Sequence, residues 1–285
     1  MTLKKLSAML VSCALAGTLF TGCGGDTAQT QSQKNDIQLG MLKNLNVSEQ
    51  IYEKIMEKFE ENAGIKLNSH QVIFFDDLST MQIGLKGGQI DELSIYKCVS
   101  DYLMAMDPNF EMAKDHVGKK KISDNFSFAM RAEDTELKNS INAALEEMKK
   151  DGTLDRLTHN YITNLKMDED PPAVAFETFD GADTIKVGVT GDLPPLDLIL
   201  ADGTPAGFNT ALLSEIGKRL HKNIEIVQIK TSTRAAELVA DKIDVSFWAI
   251  IPINEGMPID IDKPQGVELS TPYFADDVVH VELKK

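Results

Sequence analysis

The side chains that commonly carry chemistry are present but not arranged for catalysis. His70, His116, His159, His221 and His280 are scattered, with none of the short spacings that hold a metal. No Gly-x-Ser-x-Gly elbow occurs. Cys98 has no sequence-adjacent base and reads as packing beside Val99 and Leu103. Asp260 and Asp262 alternate without a calcium-loop pattern. No catalytic residue, metal or cofactor is assigned. What remains suits binding. Arg234 opens the predicted helix "STRAAELVAD", and a guanidinium beside a helix N-terminus is a seat for an anion. The competing reading is a solvated surface Arg. Trp248, the one Trp of the chain, closes a predicted strand where open α/β sheets place ligands; otherwise it fills a core. Asp192, in the loop after "IKVGVT", is a weaker candidate of the same kind. Asn46 precedes a helix predicted from Val47; it either reaches a ligand or, with Ser48, caps that helix.

The elements that must position these residues alternate. "IQLGML" reads as a strand and "NVSEQIYEKIMEKFEENAG" as an amphipathic helix with Ile51, Ile55 and Phe59 on one face and Gly64 as its stop. "VIFF" reads as a buried strand, "LSTMQIGLKGG" as a short helix and "IDELSIY" as a strand. After the strand "FSFAMR", residues 134–162 form a helix pair broken at Asp151-Gly152. Residues 166–184, with acids, a Pro pair and a Gly, break the pattern and read as a connector. Alternation then resumes: strand "IKVGVT", helix "GFNTALLSEIGKRLH", strand "IEIVQI", the helix of Arg234, strand "IDVSFWAI". A Pro-rich run leads to "STPYFADDVVHVELKK", a turn feeding a strand. The fold class is α/β, with mixed sheets flanked by helices. "LSTMQIGLKGGQIDELSIY" and "STRAAELVADKIDVSFWAI" echo each other. Two lobes built from one unit would give this, as would coincidence between two common βαβ units.

The N-terminal residues predict an address. Lys4 and Lys5 precede a short apolar run ending in "FTGC". This resembles a bacterial lipobox, with Phe20 in place of the usual Leu. Residues 1–22 are then a signal peptide, Cys23 the lipidated residue, and 23–36 a polar tether. A plain cleaved signal with an incidental Cys is the alternative. With Cys13 removed and Cys23 used, Cys98 is left without a disulfide partner. The formal charge of −15 disfavours a nucleic-acid face.

Several stretches together resemble one family, the family-3 extracellular solute-binding proteins of the amino-acid type that serve ABC transporters. "IKVGVTGDLPPLDLILADGTPAGFNTALLSEIGKRL" and "KTSTRAAELVADKIDV" look like its first lobe, and "STPYFADDVVHVELKK" like the strand that crosses between lobes. "FFDDLSTMQIGLKGGQIDELSIYKCVSDYLM" resembles its second lobe, and "FAMRAEDTELKNSINAALEEMKKDGTLDRLTHNYI" its C-terminal segment. The resemblance implies a two-lobed periplasmic-binding-protein-like fold of type II. The blocks stand in inverted order: 37–130 second lobe, 131–165 helices that pack on the first lobe, 166–184 connector, 185–285 first lobe. The chain therefore resembles a circular permutant, whose ends fall at the hinge. A frame-shifted or truncated tandem protein is the alternative.

The resemblance also implies site positions, and several depart from the family. Its Arg for the ligand carboxylate would fall near Gly256, in "IIPINEGM", a run that includes the candidate Asn254. The second-lobe acid is replaced by Tyr96, the aromatic after Pro-Pro by Leu196, and the Asp after Gly-Phe by Asn209. Arg234 matches an Arg that some binders of acidic or polar amino acids carry. The expected ligand set is Arg234, Trp248, Asp192, Leu196, Asn254, Tyr96 and Asn46. The expected role is a membrane-anchored, monomeric receptor that captures a small polar solute for an ABC permease and ATPase. A sensor or scaffold that lost its ligand is the first rival, and a dehydratase-like enzyme the second.

Overall fold

A computed structural model describes residues 37–43, 54, 70–113, 123–165, 169–250 and 263–285. Cys23, Asn46, Asn254 and Gly256 lie outside the described residues, as do the signal-peptide and tether stretches and all but one residue of the helix expected after Val47.

Among the described residues, one mixed sheet path runs through two halves. The first half holds three parallel strands, β1 (Ile37–Leu42), β2 (His70–Phe75) and β3 (Glu92–Tyr96), with β1 in the middle. Between β2 and β3 runs helix α1 (Leu78–Lys86), whose N-terminus is capped by Asp77 accepting the Thr80 N–H at 2.7 Å. Gly87 ends it, as the "KGG" run predicts. Helix α2 (Lys97–Met106) follows β3 directly and buries Cys98, Val99 and Leu103. The "VIFF" strand is partly rather than fully buried, because β2 lies at the edge of the sheet with one neighbour. A short strand, β4 (Phe110–Met112), closes this half.

The second half repeats the plan. Parallel β10 (Asn223–Gln228), β6 (Thr184–Val189) and β11 (Val245–Ile250) carry β6 in the middle, and β5 (Ser123–Arg131) pairs antiparallel with β11. Helix α3 (Thr135–Lys150) continues β5; α4 (Thr153–Thr158) follows the break at Gly152 and ends in a wide turn, His159–Thr163. Both helices pack on α5 (Phe208–Leu220), which precedes β10. A one-turn 3-10 segment, Thr231–Thr233, leads into α6 (Arg234–Val239) before β11. Thr184, expected at the end of the connector, already belongs to β6, and residues 169–183 run without regular elements. The internal echo has a counterpart: helix, turn and strand recur as α1–β3 and α6–β11, each in a half of the same strand order.

One long strand joins the halves. β13 (Phe274–Leu283) pairs antiparallel with β5 through Phe274–Asp277 and then with β3 through Val278–Val281. β12 (Val267–Leu269) borders the far end of β5. The burial of β5 follows from this position: Phe126–Met130, flanked by strands on both sides, are buried without a break, and Asp124 lies at the handover between halves. One continuous apolar cluster reaches from Leu42 and Leu93 to Val187, Leu212 and Ile216.

Candidate functional site

The loops that follow parallel strands at their C-terminal ends converge where the halves meet, the position expected of a ligand cleft in an open α/β sheet. A pocket of about 540 Å³, open solvent at its mouth included, is lined by Leu42 at the end of β1 and otherwise by residues of the second half. Thr190 follows β6; Asp192 and Asp197 come from the small antiparallel sheet of β7 (Asp192–Leu193), β8 (Asp197–Ile199) and β9 (Pro205–Ala206). Asp192, expected in a loop, is therefore held in a strand. The turn between β9 and α5 needs Gly207: its φ is 101°, and a Cβ there would stand 2.8 Å from the Pro195 carbonyl oxygen.

Arg234 dominates the pocket. It is the first residue of α6, it is buried, and it lines the cavity. Its Nε donates to the Thr231 carbonyl at 3.3 Å and its Nη1 to the Phe247 carbonyl at 2.9 Å. Nη2 has no partner among the described residues. No carboxylate among the described residues stands within ion-pair distance of the guanidinium, and burial lowers its pKa to about 10, an effect that Tyr96 and Asp197 partly offset. The surface alternative for Arg234 is excluded by its 6% exposure. Its charge lies over the Trp248 ring, 4.8 Å from the centroid. The indole is thus both core and pocket wall: it packs with Leu238, Ile243 and Val267, and its Nε1 is buried without a partner among the described residues.

The remaining candidates divide. Asp192 lines the pocket, and its carboxylate accepts the backbone N–H of Leu78 from the opposite half at 2.9 Å. Leu196 lines it as fully buried apolar wall. Tyr96 is buried one layer behind, its ring 4.6 Å from that of Phe126 and its hydroxyl donating to Asp124 at 2.9 Å. Asn209 lines the pocket and accepts from the Tyr273 hydroxyl at 3.0 Å.

Sequence reasoning missed Asp197. Its Oδ2 accepts from the Thr190 N–H at 3.1 Å and from the Thr190 hydroxyl at 3.2 Å, while Oδ1 is buried and unpartnered among the described residues. Burial raises its pKa to about 6. The signal was the second Asp of "DLPPLDL", which a strand reading would place inward. Among the described residues, no cluster of three or more His, Cys, Asp or Glu could hold a metal ion. No helix among them is long and apolar enough to cross a membrane.

The sequence model of the bacterial extracellular solute-binding proteins, family 3, matches residues 27–164 and 185–284. The chain belongs to that family. No curated protein matches this solute-binding protein. Among solved structures it is similar to a ligand-binding component of an ABC-type import system from Staphylococcus aureus with zinc bound, at 10% identity and TM-score 0.43, over 87% of this chain and 65% of that one. It is also similar to a nutrient-binding protein from Burkholderia cenocepacia bound to methionine, at 11% identity and TM-score 0.39, over 87% and 84%. A methionine-binding lipoprotein, so described, from Bacillus subtilis stands at 10% identity and TM-score 0.40, over 89% and 85%. Overlap this loose carries no residue-level correspondence.

Proposed function

We propose that this solute-binding protein captures a small carboxylate-bearing solute in the pocket of its second half, which Leu42 of the first half borders, with Arg234 as the seat of the carboxylate, and performs no chemistry on it. One observation carries the reading: a guanidinium buried in the pocket wall with one amino group that has no partner among the described residues. A buried cation without a counter-ion is costly. An entering carboxylate supplies both the counter-charge and the acceptor that Nη2 lacks. Asp197 Oδ1 offers an acceptor across the same pocket for a donor on the solute, and Leu196 an apolar floor.

In this reading the protein is the receptor of an ABC importer, tethered on the extracytoplasmic face by lipid on Cys23. Its lobes follow one another in permuted order, 37–130 and 185–285, with residues 166–184 joining the points that serve as ends elsewhere in the family. The exchange of β13 from β5 to β3 supports a crossing there, and the packing of α3 on α5 supports the assignment of residues 131–165 to the lobe of 185–285.

The test is a thermal-shift screen of the chain from Asp26 onward against small carboxylates, amino acids, amines and neutral polar solutes. The expected result is stabilisation by a carboxylate class, lost in Arg234→Met. A hit confined to amines or neutral solutes refutes the assignment.

A further inference from the structure

The rim of the pocket is tied across the two halves at a single turn. Asp192, in β7 of the second half, accepts the backbone N–H of Leu78 through Oδ2 at 2.9 Å. Leu78 is the first residue of α1 in the other half. Thr231, at the base of α6, donates its hydroxyl to the Asp76 carbonyl at 3.1 Å. Both bonds end within residues 76–78. The N-terminus of α1 therefore receives two carboxylates, Asp77 from its own half and Asp192 from the other. A helix N-terminus has N–H groups without intrahelical partners, and its dipole favours negative charge. Asp192 is thus an N-terminal ligand of a helix to which it is joined only through the fold. Burial raises the Asp192 carboxyl above its ordinary range and the Asp77 carboxylate adds to that rise, while the bond from the Leu78 N–H opposes it.

We propose that Asp192 and the N-terminus of α1 form a latch that holds the pocket closed in the absence of solute. The bond forms only when the halves meet, so it stabilises the closed arrangement and has no counterpart in an open one. The Thr231–Asp76 bond acts in the same sense. A solute reaches Arg234 while the latch is open, and the latch then closes behind it.

Two substitutions address the two sides of the bond. Asp192→Ala removes the acceptor. Leu78→Pro removes the donor while keeping the helix start, since Pro fits the first position of a helix and Asp77, at φ −150° and ψ 161°, already has the extended conformation that a residue before Pro requires; it also trims a buried core side chain, so a lower melting temperature is expected of it and Asp192→Ala carries the test. The control is Asp202→Ala, at an exposed turn where the side chain bonds only its own loop. Spin labels are placed at Ile83→Cys on α1 and Val239→Cys on α6, 68% and 59% exposed and one in each half, with the native cysteines replaced by serine in the full chain. Distances are measured by pulsed electron resonance without added solute, and melting is recorded for each variant. The latch predicts one dominant distance in the parent and in Asp202→Ala. It predicts at least a tenfold rise in the ratio of long to short distances in both Asp192→Ala and Leu78→Pro, with cooperative melting kept. A parent that is already open overturns the proposal. So does a distribution left unchanged by Asp192→Ala, whatever Leu78→Pro does, because the carboxylate is the element claimed. The result is independent of which solute binds, so it fails separately from the assignment of Arg234.

Discussion

The guanidinium of Arg234 lies 4.8 Å from the centroid of the Trp248 ring while one of its amino groups has no partner among the described residues. The pair divides the labour of a binding site. The indole face is covered by the guanidinium and so holds the cation in place. The Phe247 and Thr231 carbonyls fix its orientation. The wall of the pocket thus holds a cation of fixed orientation, and such a group loses little freedom when an anion arrives.

A cation placed for binding rather than for folding should be dispensable without ligand. Arg234→Met keeps much of the stem and removes a desolvated charge. The melting temperature of the solute-free variant, read by calorimetry, should equal or exceed that of the parent. A fall of several degrees would make Arg234 a structural residue.

Asp124 gives a pH signature. It is buried where β5 meets β13, directly opposite Asp276 in register. Burial raises its pKa from 3.8 to about 6, and the Asp276 charge adds to this, against the stabilising bond from the Tyr96 hydroxyl. Because the folded pKa lies above the unfolded one, the native state holds more protons between about pH 4 and 6, and stability falls as pH rises through that window. The cost above pH 6 is on the order of 2–3 kcal/mol. Asp197, raised to about 6 by burial, acts in the same direction. Asp124→Asn can still accept from Tyr96. It should raise the melting temperature at pH 7.5 by about 5 °C and leave it unchanged at pH 3.5. Equal shifts at both values would contradict the account.

The order of the blocks is open to direct manipulation. A chain rebuilt as 166–285 followed by a flexible linker and 37–165 keeps the packed segment around Val174, and it should fold to the same melting temperature within a few degrees and keep the solute profile of the parent. Failure of this reordered chain to fold cooperatively would count against permutation, since a permuted fold tolerates its ends at either join.

Anchoring rests on "FTGC" alone. Cys23→Ala should leave the protein unlipidated and either released or retained as precursor, as fractionation and mass spectrometry would show. Processed Cys23→Ala protein in the membrane fraction at the parental level would exclude the lipid anchor.

Much of the architecture was legible in the sequence because period and punctuation agreed. The "KGG" stop of α1, the Asp151-Gly152 break between α3 and α4, and the strand "IKVGVT" each rest on local chemistry that the fold preserves. The partial burial of "VIFF" was not legible, since an edge position depends on which strand finds no second neighbour. In the site, Arg234 could be found by its place at a helix start. Its burial, and the covering of Trp248, could not, because both depend on the packing of α6 against β11. Asp197 escaped for a similar reason: its partner Thr190 follows a different strand. The bond between Asp192 and Leu78 joins residues 114 apart in the chain, beyond the reach of any local pattern.

The most direct measurement is titration calorimetry of the best carboxylate from the screen beside its carboxamide analogue, on the parent and on Arg234→Met. If Arg234 seats the carboxylate, the parent should prefer the acid over the amide by about a hundredfold, as expected for a buried charge-assisted pair worth roughly 3 kcal/mol. Arg234→Met should then bind the acid no better than the amide. Equal affinity of the parent for acid and amide, or a preference for the acid that survives in Arg234→Met, would contradict the central claim.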